Sequence, residues 1–215
     1  MKALITTVPF AENNSLPIEL LEAAGISYTV NPIGRKLREI ELIEMIEDYD
    51  VLIAGTEPIT ERVLDHAKSL QFISRVGIGL DSVDLCSAEK KGIQVSYTPE
   101  APAPAVAEMT VGLMLNLLRH VSIANAQMHQ GVWHRYFGRR ISEVTVGIIG
   151  LGRIGGRGLE KLSLLGAKRI LVNDLSYDIR SQSDVDFEWV VKDKIFCEAD
   201  LISVHVPLSP QTRNM

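Results

Sequence analysis

Three glycines that follow an apolar run form the clearest candidate site in this sequence. Gly150, Gly152 and Gly155 have the spacing G-x-G-x-x-G, and residues 144–149, rich in valine and isoleucine, predict a buried strand before them. In such a loop the first glycine allows a tight turn, the second lets a pyrophosphate approach the backbone, and the third lets the next helix pack on the strand. The positive end of that helix attracts phosphates. The loop therefore predicts a dinucleotide phosphate site.

Asp174 adds a second element to this prediction. Another apolar run, residues 170–172, ends just before it, about 20 residues after Gly155, which is the spacing of an acid that binds the adenosine ribose. Its carboxylate would accept hydrogen bonds from the ribose hydroxyls and repel a 2′-phosphate, so the pattern favours NAD over NADP. The alternative is a glycine-rich turn followed by an aspartate that caps a strand end by chance. The order of strand, glycines, helix, strand and acid favours the cofactor site.

The loop at residues 75–84 is a candidate for substrate binding. It follows a predicted strand, at the edge where open α/β sheets bind ligands, and Gly77 and Gly79 would expose backbone N–H groups able to hold a carboxylate. A second interpretation is a tight connection in which Asp81 or Ser82 caps the next helix. The loop by itself leaves both interpretations open.

Composition argues against several classes of function. The 215 residues carry 22 basic and 27 acidic side chains, a net charge of −5, so the chain has no overall attraction for nucleic acid or anionic membranes. Cys86 and Cys197 are far apart and lack metal-ligand spacing, which predicts a reducing cytoplasm and no metal site. The N-terminal residues predict a first strand rather than a signal peptide, and no stretch is apolar enough to span a membrane.

Residues 1–100 alternate between strand and helix patterns and predict one domain. The predicted strands are Ala3–Thr6, Ser27–Val30, Val51–Ala54, Phe72–Val76 and Ile93–Ser96. The predicted helices are Pro17–Ala24, Arg35–Glu47, Thr60–Ala67 and Ser82–Lys91. Ser15 and Thr60 are placed to cap two of the helices, and Gly25 and Gly92 to end two of them. Strands joined by crossover helices predict an α/β domain with a flavodoxin-like parallel sheet.

A proline-rich segment at 97–105 marks the boundary to a second domain, residues 101–215. Its prolines resist helix and sheet, and predict an extended, semi-rigid connector. The next helix, residues 105–120, is apolar nearly all round, so we expect it to be buried in a core or in a subunit interface. With the glycine loop, the predicted strands Phe187–Val191 and Leu201–Val204 indicate a Rossmann NAD-binding domain that is incomplete at its C-terminal side.

Other segments of the second domain carry weaker signals. Residues 129–140 interleave aromatic and arginine side chains, but the acidic total and the lack of a nucleic-acid motif favour a loop against a neighbouring domain or a partner subunit. Ser176–Asp186 is polar and predicts an exposed loop, and Ile195–Ala199 predicts a fragment of helix. We expect no nucleic-acid partner.

Five segments, taken together, resemble the D-2-hydroxyacid dehydrogenases, the group that includes D-3-phosphoglycerate and D-lactate dehydrogenases. The segments are Ser74–Asp84, Pro104–Leu113, Val146–Gly155, Asp174 and Ala199–Leu208. They follow the family's order over nearly the whole chain, which is far more specific than any one motif. The resemblance implies NAD as cofactor, a small 2-hydroxy or 2-oxo acid as substrate, hydride transfer between them, and a homodimer built through the nucleotide-binding domains.

The resemblance also implies roles for individual residues. In the first, substrate-binding domain, the N–H groups of Val76 and Gly77 would bind the substrate carboxylate, and Arg75 would suit a second anionic group, such as the phosphate of 3-phosphoglycerate. The implied NAD contacts are Ile78 and Val106 at the nicotinamide end, Gly150, Gly152, Arg153, Ile154 and Gly155 at the pyrophosphate, Asp174 at the adenosine ribose, and Val206 and Pro207 at the nicotinamide-side ribose.

The catalytic residues of the family are expected to be missing. Hydride transfer there needs an arginine that holds the carboxylate and carbonyl, and a proton-donating histidine with an acidic partner. These come from later strands, so we expect a truncated dehydrogenase without catalytic residues. None of the five histidines replaces them, and His205, at a strand end near the expected cofactor, is favoured in a positional role. The alternative function is a non-catalytic NAD-binding or dimerisation module on the same scaffold.

Overall fold

Short apolar runs form parallel strands, and the segments between them form helices that cover the sheets. The computed structural model describes residues 1–175 and 185–215, which divide into two units, Met1–Ala101 and Pro102–Met215. The strands are β1 (Lys2–Ile5), β2 (Ser27–Val30), β3 (Val51–Ala54), β4 (Phe72–Arg75), β5 (Gln94–Tyr97), β6 (Thr145–Ile149), β7 (Arg169–Asn173), β8 (Glu188–Trp189) and β9 (Leu201–Val204). The helices are α1 (Leu16–Ala23), α2 (Glu39–Ile46), α3 (Glu61–His66), α4 (Leu85–Lys90), α5 (Ala103–Arg119), α6 (Val121–His129), α7 (Arg153–Leu164) and α8 (Lys192–Glu198).

The first unit contains a parallel sheet with the strand order β2-β1-β3-β4-β5. The register aligns Ala3 of β1 with Tyr28 of β2 on one side and with Val51 of β3 on the other. This is the order of flavodoxin-like sheets, in which the chain reverses its direction of winding between β1 and β3. The predicted fold class of residues 1–100 is confirmed.

The core of the first unit explains why these runs become strands. Leu4, Leu52 and Ile73 lie on three adjacent strands and are buried in one apolar cluster. Leu42 of α2 and Val63 of α3 pack into the same cluster. Strands covered by helices on both faces read as continuous apolar runs, which is the pattern of this part of the sequence.

The predicted helix caps and helix ends were confirmed at some positions and wrong at one. Thr60 caps α3, its side-chain oxygen accepting a hydrogen bond from the Val63 N–H at 3.4 Å. Gly25 and Gly92 end their helices with φ angles of +67° and +70°. The cap predicted at Ser15 is wrong, because its hydroxyl donates to a carboxylate one turn later instead of accepting from the helix.

Helix α2 begins later than predicted, because the segment before it is fixed by side chains. Arg35 and Arg38 each lie 2.7 Å from Oε1 of Glu41, which belongs to the first turn of α2. The Arg35 and Arg38 guanidinium groups hold the pKa of the Glu41 carboxyl well below its usual range. Residues 35–38 therefore form a clamped loop that precedes the helix.

The proline-rich boundary also differs from the prediction. The extended connector is wrong beyond residue 102, since α5 starts at Ala103 with Pro104 in its first turn, where proline needs no hydrogen-bond partner. The helix is buried on one face only, through residues such as Val111 and Met114, and its opposite face is exposed. The expectation that it is buried all round therefore does not hold within this chain.

The second unit contains a parallel sheet with the strand order β8-β7-β6-β9. Strands 3, 2, 1 and 4 of the Rossmann fold have the same relative order, so the predicted fold class is confirmed here as well. The predicted strand Phe187–Val191 shortens to the two residues of β8, and the predicted helix fragment Ile195–Ala199 becomes α8. Most of the predicted loop Ser176–Asp186 lies outside the described residues.

Side chains of β6 alternate between the two faces of the second sheet. Val146 and Ile148 belong to a large cluster that includes residues of α5 and α7. Ile149 belongs to a small cluster with Ile195 of α8. Gly147 lies between these residues, and a Cβ added to it would collide with the Ile195 side chain. Helix α8 therefore lies close against β6.

We expect Leu159→Ala to lower the free energy of unfolding of the second unit by about 2–5 kcal/mol, because the fully buried side chain would leave a cavity. Leu164→Ala is the matched control on the same helix, since that side chain is 88% exposed and should change the value by less than about 0.5 kcal/mol. Tryptophan fluorescence in urea measures both changes, because Trp133 and Trp189 both lie in the second unit. Equal midpoints for the two variants would contradict this account of the core.

Candidate cofactor and substrate sites

The glycine loop joins the end of β6 to the start of α7 at the carboxyl edge of the second sheet. Gly150 has a φ of +96°, a backbone conformation that side chains disfavour, and its N–H donates to the Asn173 carbonyl at 2.8 Å. A Cβ at this position would also lie 2.5 Å from the His205 carbonyl oxygen. The tight turn predicted for the first glycine is therefore present.

The other two glycines have different surroundings. A Cβ on Gly155 would collide with the Gly150 carbonyl oxygen, so α7 packs directly on the loop. Gly152 precedes α7, and a Cβ added there would meet no atom of residues 1–175 and 185–215 within 4 Å. The first turn of a helix presents N–H groups that the helix itself does not use. Open space beside such a turn fits the pyrophosphate of a dinucleotide.

Asp174 lies beside this loop. Its Oδ2 accepts a hydrogen bond from the Leu151 N–H at 2.7 Å. The contact follows from the register of the sheet, which aligns Ile149 at the end of β6 with Asn173 at the end of β7. An acidic group is thus fixed next to the open space at Gly152, where a ribose adjoining the pyrophosphate would lie.

Four more of the predicted contacts in the second unit lie at the same edge, whereas Val106 is an exposed residue in the first turns of α5. Arg153 and Ile154 form the first turn of α7. Val206 and Pro207 follow β9, which pairs in parallel with β6. The Val206 side chain lies 2.9 Å from the position of a Cβ on Gly150, so the segment after β9 closes one side of the glycine loop.

His205 begins that segment and is half-buried. Its N–H donates to the Ile149 carbonyl at 2.7 Å, and its Nε2 lies 2.8 Å from the Ser203 hydroxyl. Burial lowers the pKa of the imidazole below its usual value of 6.5, because removal from water disfavours the charged form. The ring is therefore neutral at neutral pH and forms a hydrogen bond within its own strand end.

The loop after β4 carries the predicted carboxylate-binding groups of the first unit. The Val76 N–H donates to the Ala54 carbonyl at 2.9 Å, and the Gly77 N–H donates to the Thr98 hydroxyl at 2.8 Å. Both predicted donors therefore already have acceptors within the chain. In the part of the chain that the structure describes, the next two N–H groups, those of Ile78 and Gly79, donate to no protein acceptor.

The alternative interpretation of this loop, in which Asp81 or Ser82 caps the next helix, was wrong about which residue caps it. Asp84 caps α4 by accepting a hydrogen bond from the Ser87 N–H at 2.9 Å, so neither Asp81 nor Ser82 does so. The Asp81 carboxylate instead lies 2.6 Å from the position of a Cβ on Gly79. A negative charge so close to Gly79 leaves the Ile78 N–H as the better donor to an anion.

Arg75 is 7% exposed and folds over its own loop. Its Nη1 donates to the Val76 carbonyl, and a Cβ on Gly77 would lie 2.5 Å from that nitrogen. Gly77 has a φ of +140° and no side chain, which gives the guanidinium this space. Its Nε is buried and has no hydrogen-bond partner among the described residues.

A polar cavity of about 140 Å³ adjoins Arg75 within the first unit. Its walls are Thr6, Thr7, Val8, Lys36, Gly55, Thr56, Glu57, Arg75 and Val76. Sequence analysis identified Arg75 and Val76 but missed Lys36 and Glu57, which stand in unrelated segments with no motif around them. A charged residue placed shortly after an apolar strand, as Glu57 is placed after β3, was the signal available.

Comparison with known proteins identifies the family. The family model of the D-isomer specific 2-hydroxyacid dehydrogenase, catalytic domain, matches residues 8–202, which include the glycine loop, Asp174 and the cavity residues Lys36 and Glu57. The chain belongs to this family. The resemblance carried by the five sequence segments is therefore confirmed.

Relatives within the D-2-hydroxyacid dehydrogenase family differ in name and length. A hydroxypyruvate reductase from Thermotoga maritima is 37% identical over 183 residues, which cover 83% of this chain and 58% of the relative. A D-3-phosphoglycerate dehydrogenase from Methanocaldococcus jannaschii is 34% identical over 224 residues, which cover all of this chain and 40% of the relative. The crystal structure of NAD⁺-bound 3-phosphoglycerate dehydrogenase from Entamoeba histolytica has 27% identity and a TM-score of 0.79, covering 99% of this chain and 64% of the other.

Residues 1–175 and 185–215 contain neither a membrane-spanning helix nor a cluster of metal-binding side chains. No helix there is long and apolar enough to cross a membrane. No group of three or more histidine, cysteine, aspartate or glutamate side chains there is arranged to hold a metal ion.

The lowered pKa of His205 predicts a dependence of stability on pH. The unfolded chain binds a proton at this ring more readily than the folded chain, so stability is full above about pH 6.5 and falls as the pH drops below it. We expect His205→Gln to reduce the loss of melting temperature between about pH 7.5 and pH 5.5. His66→Gln, at an exposed histidine of α3, is the control. The same loss of melting temperature in both variants would refute the assignment.

Proposed function

We propose that this chain provides the NAD-binding and substrate-binding parts of an oxidoreductase that interconverts a D-2-hydroxy acid and its 2-oxo acid. The observation that carries the proposal is the 2.7 Å hydrogen bond from Leu151 to Asp174, because it fixes an acid beside an open glycine loop. Membership of the D-2-hydroxyacid dehydrogenase family and the NAD⁺ bound in the Entamoeba relative support it. We assign binding roles to this chain and no catalytic residue.

The second unit is the proposed NAD-binding domain. Bound NAD supplies the hydride acceptor or donor for the carbon that carries the hydroxyl. The glycines Gly150, Gly152 and Gly155, with Arg153 and Ile154, hold the pyrophosphate, and Asp174 accepts hydrogen bonds from the adenosine ribose. Val206 and Pro207 line the other ribose, with His205 in a positional role. Ile78 and Val106 are the proposed contacts of the nicotinamide.

The first unit is the proposed substrate-binding domain. The substrate carboxylate binds the loop from Val76 to Gly79, with the Ile78 N–H as donor, because that group has no other acceptor in the described chain. Arg75 provides a buried positive charge beside this loop. 3-Phosphoglycerate and hydroxypyruvate are candidate substrates, in line with the names of the relatives, and differ in having a phosphate or a hydroxyl on the third carbon.

We further propose a homodimer formed through the second unit. Met109, Leu113 and Leu117 follow one another at four-residue spacing on α5 and are 64%, 52% and 63% exposed. A continuous apolar stripe of this kind is typical of a surface that another molecule covers. A cytoplasmic location is part of the proposal, since Cys86 and Cys197 are unpaired and exposed, as in a reducing compartment.

We expect the chain to bind NAD more tightly than NADP, and Asp174→Asn to weaken NAD binding by about tenfold or more, because a charged acceptor for the ribose hydroxyls is lost. The same variant should narrow the preference for NAD over NADP, since it removes the charge that repels the 2′-phosphate. Asparagine retains an oxygen that can accept a hydrogen bond from the Leu151 N–H, so the loop keeps this contact. Isothermal titration calorimetry with each cofactor measures these effects.

Asp193→Asn is the matched control for this experiment, because Asp193 is an exposed acid of α8 in the same unit. It should bind both cofactors as the unchanged chain does. The proposal fails if the unchanged chain binds NADP as well as NAD, or if Asp174→Asn binds NAD with undiminished affinity.

For the dimer, we expect light scattering behind a sizing column to give a mass of twice 23.7 kDa. Leu113→Glu should raise the dissociation constant by about thirtyfold or more, because a charge would be buried at the centre of the apolar stripe. Leu164→Glu, on the exposed side of α7, should leave the mass unchanged. A mass of 23.7 kDa for the unchanged chain at micromolar concentration would rule out this assembly.

A further inference from the structure

The cavity of the first unit lies where sheets of this order bind ligands. Its walls come from the segments that follow β1, β2 and β3 and from the end of β4, and the switch point of the sheet falls between β1 and β3. Charges of both signs line it, with Lys36 and Arg75 positive and Glu57 negative. The volume, about 140 Å³, compares with about 30 Å³ for one water in the liquid, so it accommodates a substituent of a few heavy atoms.

Glu57 is 1% exposed and held at two strand ends. Its Oε1 accepts hydrogen bonds from the Gly55 N–H at 3.0 Å and from the Thr6 hydroxyl. A Cβ added to Gly55 would lie 2.9 Å from Oε2. The ends of β1 and β3 thus fix the carboxylate, so its position is determined by the fold and does not vary as that of an exposed side chain would.

Arg75 and Glu57 are both buried and carry opposite charges, but they do not form an ion pair with each other. Within the part of the chain that the structure describes, neither side chain forms an ion pair, and the Arg75 Nε has no hydrogen-bond partner. Buried charges are costly without partners. Both residues line the cavity, so the Arg75 guanidinium is a possible donor and the Glu57 carboxylate a possible acceptor for a group that enters it.

A hydroxyl matches this pair, whereas a phosphate does not. A hydroxyl both donates and accepts, so it can donate to the Glu57 carboxylate and accept from the Arg75 guanidinium. A phosphate monoester near neutral pH is an acceptor and carries nearly two negative charges, which the buried carboxylate repels. Lys36 also attracts a phosphate, but it is exposed on the loop clamped by Glu41, so water and salt screen its charge more than that of the buried Glu57.

We propose that this cavity receives the group on the third carbon of the substrate and that this group is a hydroxyl. Glu57 determines the preference for a hydroxyl over a phosphate. The inference rests on the function proposed above. It selects the short hydroxylated acids, of the type of D-glycerate and hydroxypyruvate, over their phosphorylated counterparts. Glu57 acts here by direct contact with the substrate, as a specificity-determining residue.

The test is titration calorimetry of the full 215-residue chain with D-glycerate and with D-3-phosphoglycerate, with NAD present. We expect the unchanged chain to bind D-glycerate about tenfold or more tightly than the phosphorylated acid. Glu57→Gln keeps the shape of the side chain and removes the charge, so it should shift the ratio by about tenfold toward D-3-phosphoglycerate. Glu44→Gln, at an exposed position of α2, should leave the ratio unchanged.

A preference of the unchanged chain for D-3-phosphoglycerate would overturn the inference. So would an unchanged ratio in a Glu57→Gln variant that melts like the parent. If that variant does not fold, the ratio measured on the unchanged chain decides alone. A chain that binds NAD but neither acid also overturns the inference while the cofactor assignment stands. A chain that binds neither NAD nor either acid overturns the proposed function and the inference with it.

Discussion

Parallel strand pairing is the constraint on which both units depend, because strands that run in one direction release their following loops at a single edge. In the first unit this brings the segments after β1, β3 and β4 together around Glu57 and Arg75. In the second it brings the segments after β6, β7 and β9 together around Gly150. No single segment contains either site, so each exists only while the register of its sheet is kept.

The sequence predicted best what is decided locally. Runs of valine and isoleucine become buried strands whatever else surrounds them, and the glycines that end helices need only their own freedom at positive φ. Signals that depend on a choice of partner were less reliable. The Ser15 hydroxyl had a nearby carboxylate as well as helix N–H groups, and Pro104 could start a helix as readily as it could break one.

Much of the candidate site could not be predicted because its contacts join distant parts of the chain. The Gly77 N–H was assigned to a ligand, but Thr98, at the end of the next strand, supplies its acceptor. Glu57 and Lys36 belong to the cavity only because the strands before them, β3 and β2, lie on either side of β1 in the sheet. By contrast, the order and spacing of the motifs assigned Asp174 and the glycine loop to one site, although the hydrogen bond that joins them was not predicted.

The absence of a side chain at Gly147 limits which substitutions the second unit can accept in β6 and α8. Ile195 fills the space that a Cβ at residue 147 would need, so the two positions share one volume. A larger residue in the middle of β6 therefore requires either a smaller residue on α8 or a displacement of that helix. Because α8 leads directly into β9, such a shift would reach Val206, whose side chain closes the glycine loop. The residues that position 147 can accept are thus limited by the geometry of the proposed cofactor site, although this position is not part of the glycine loop.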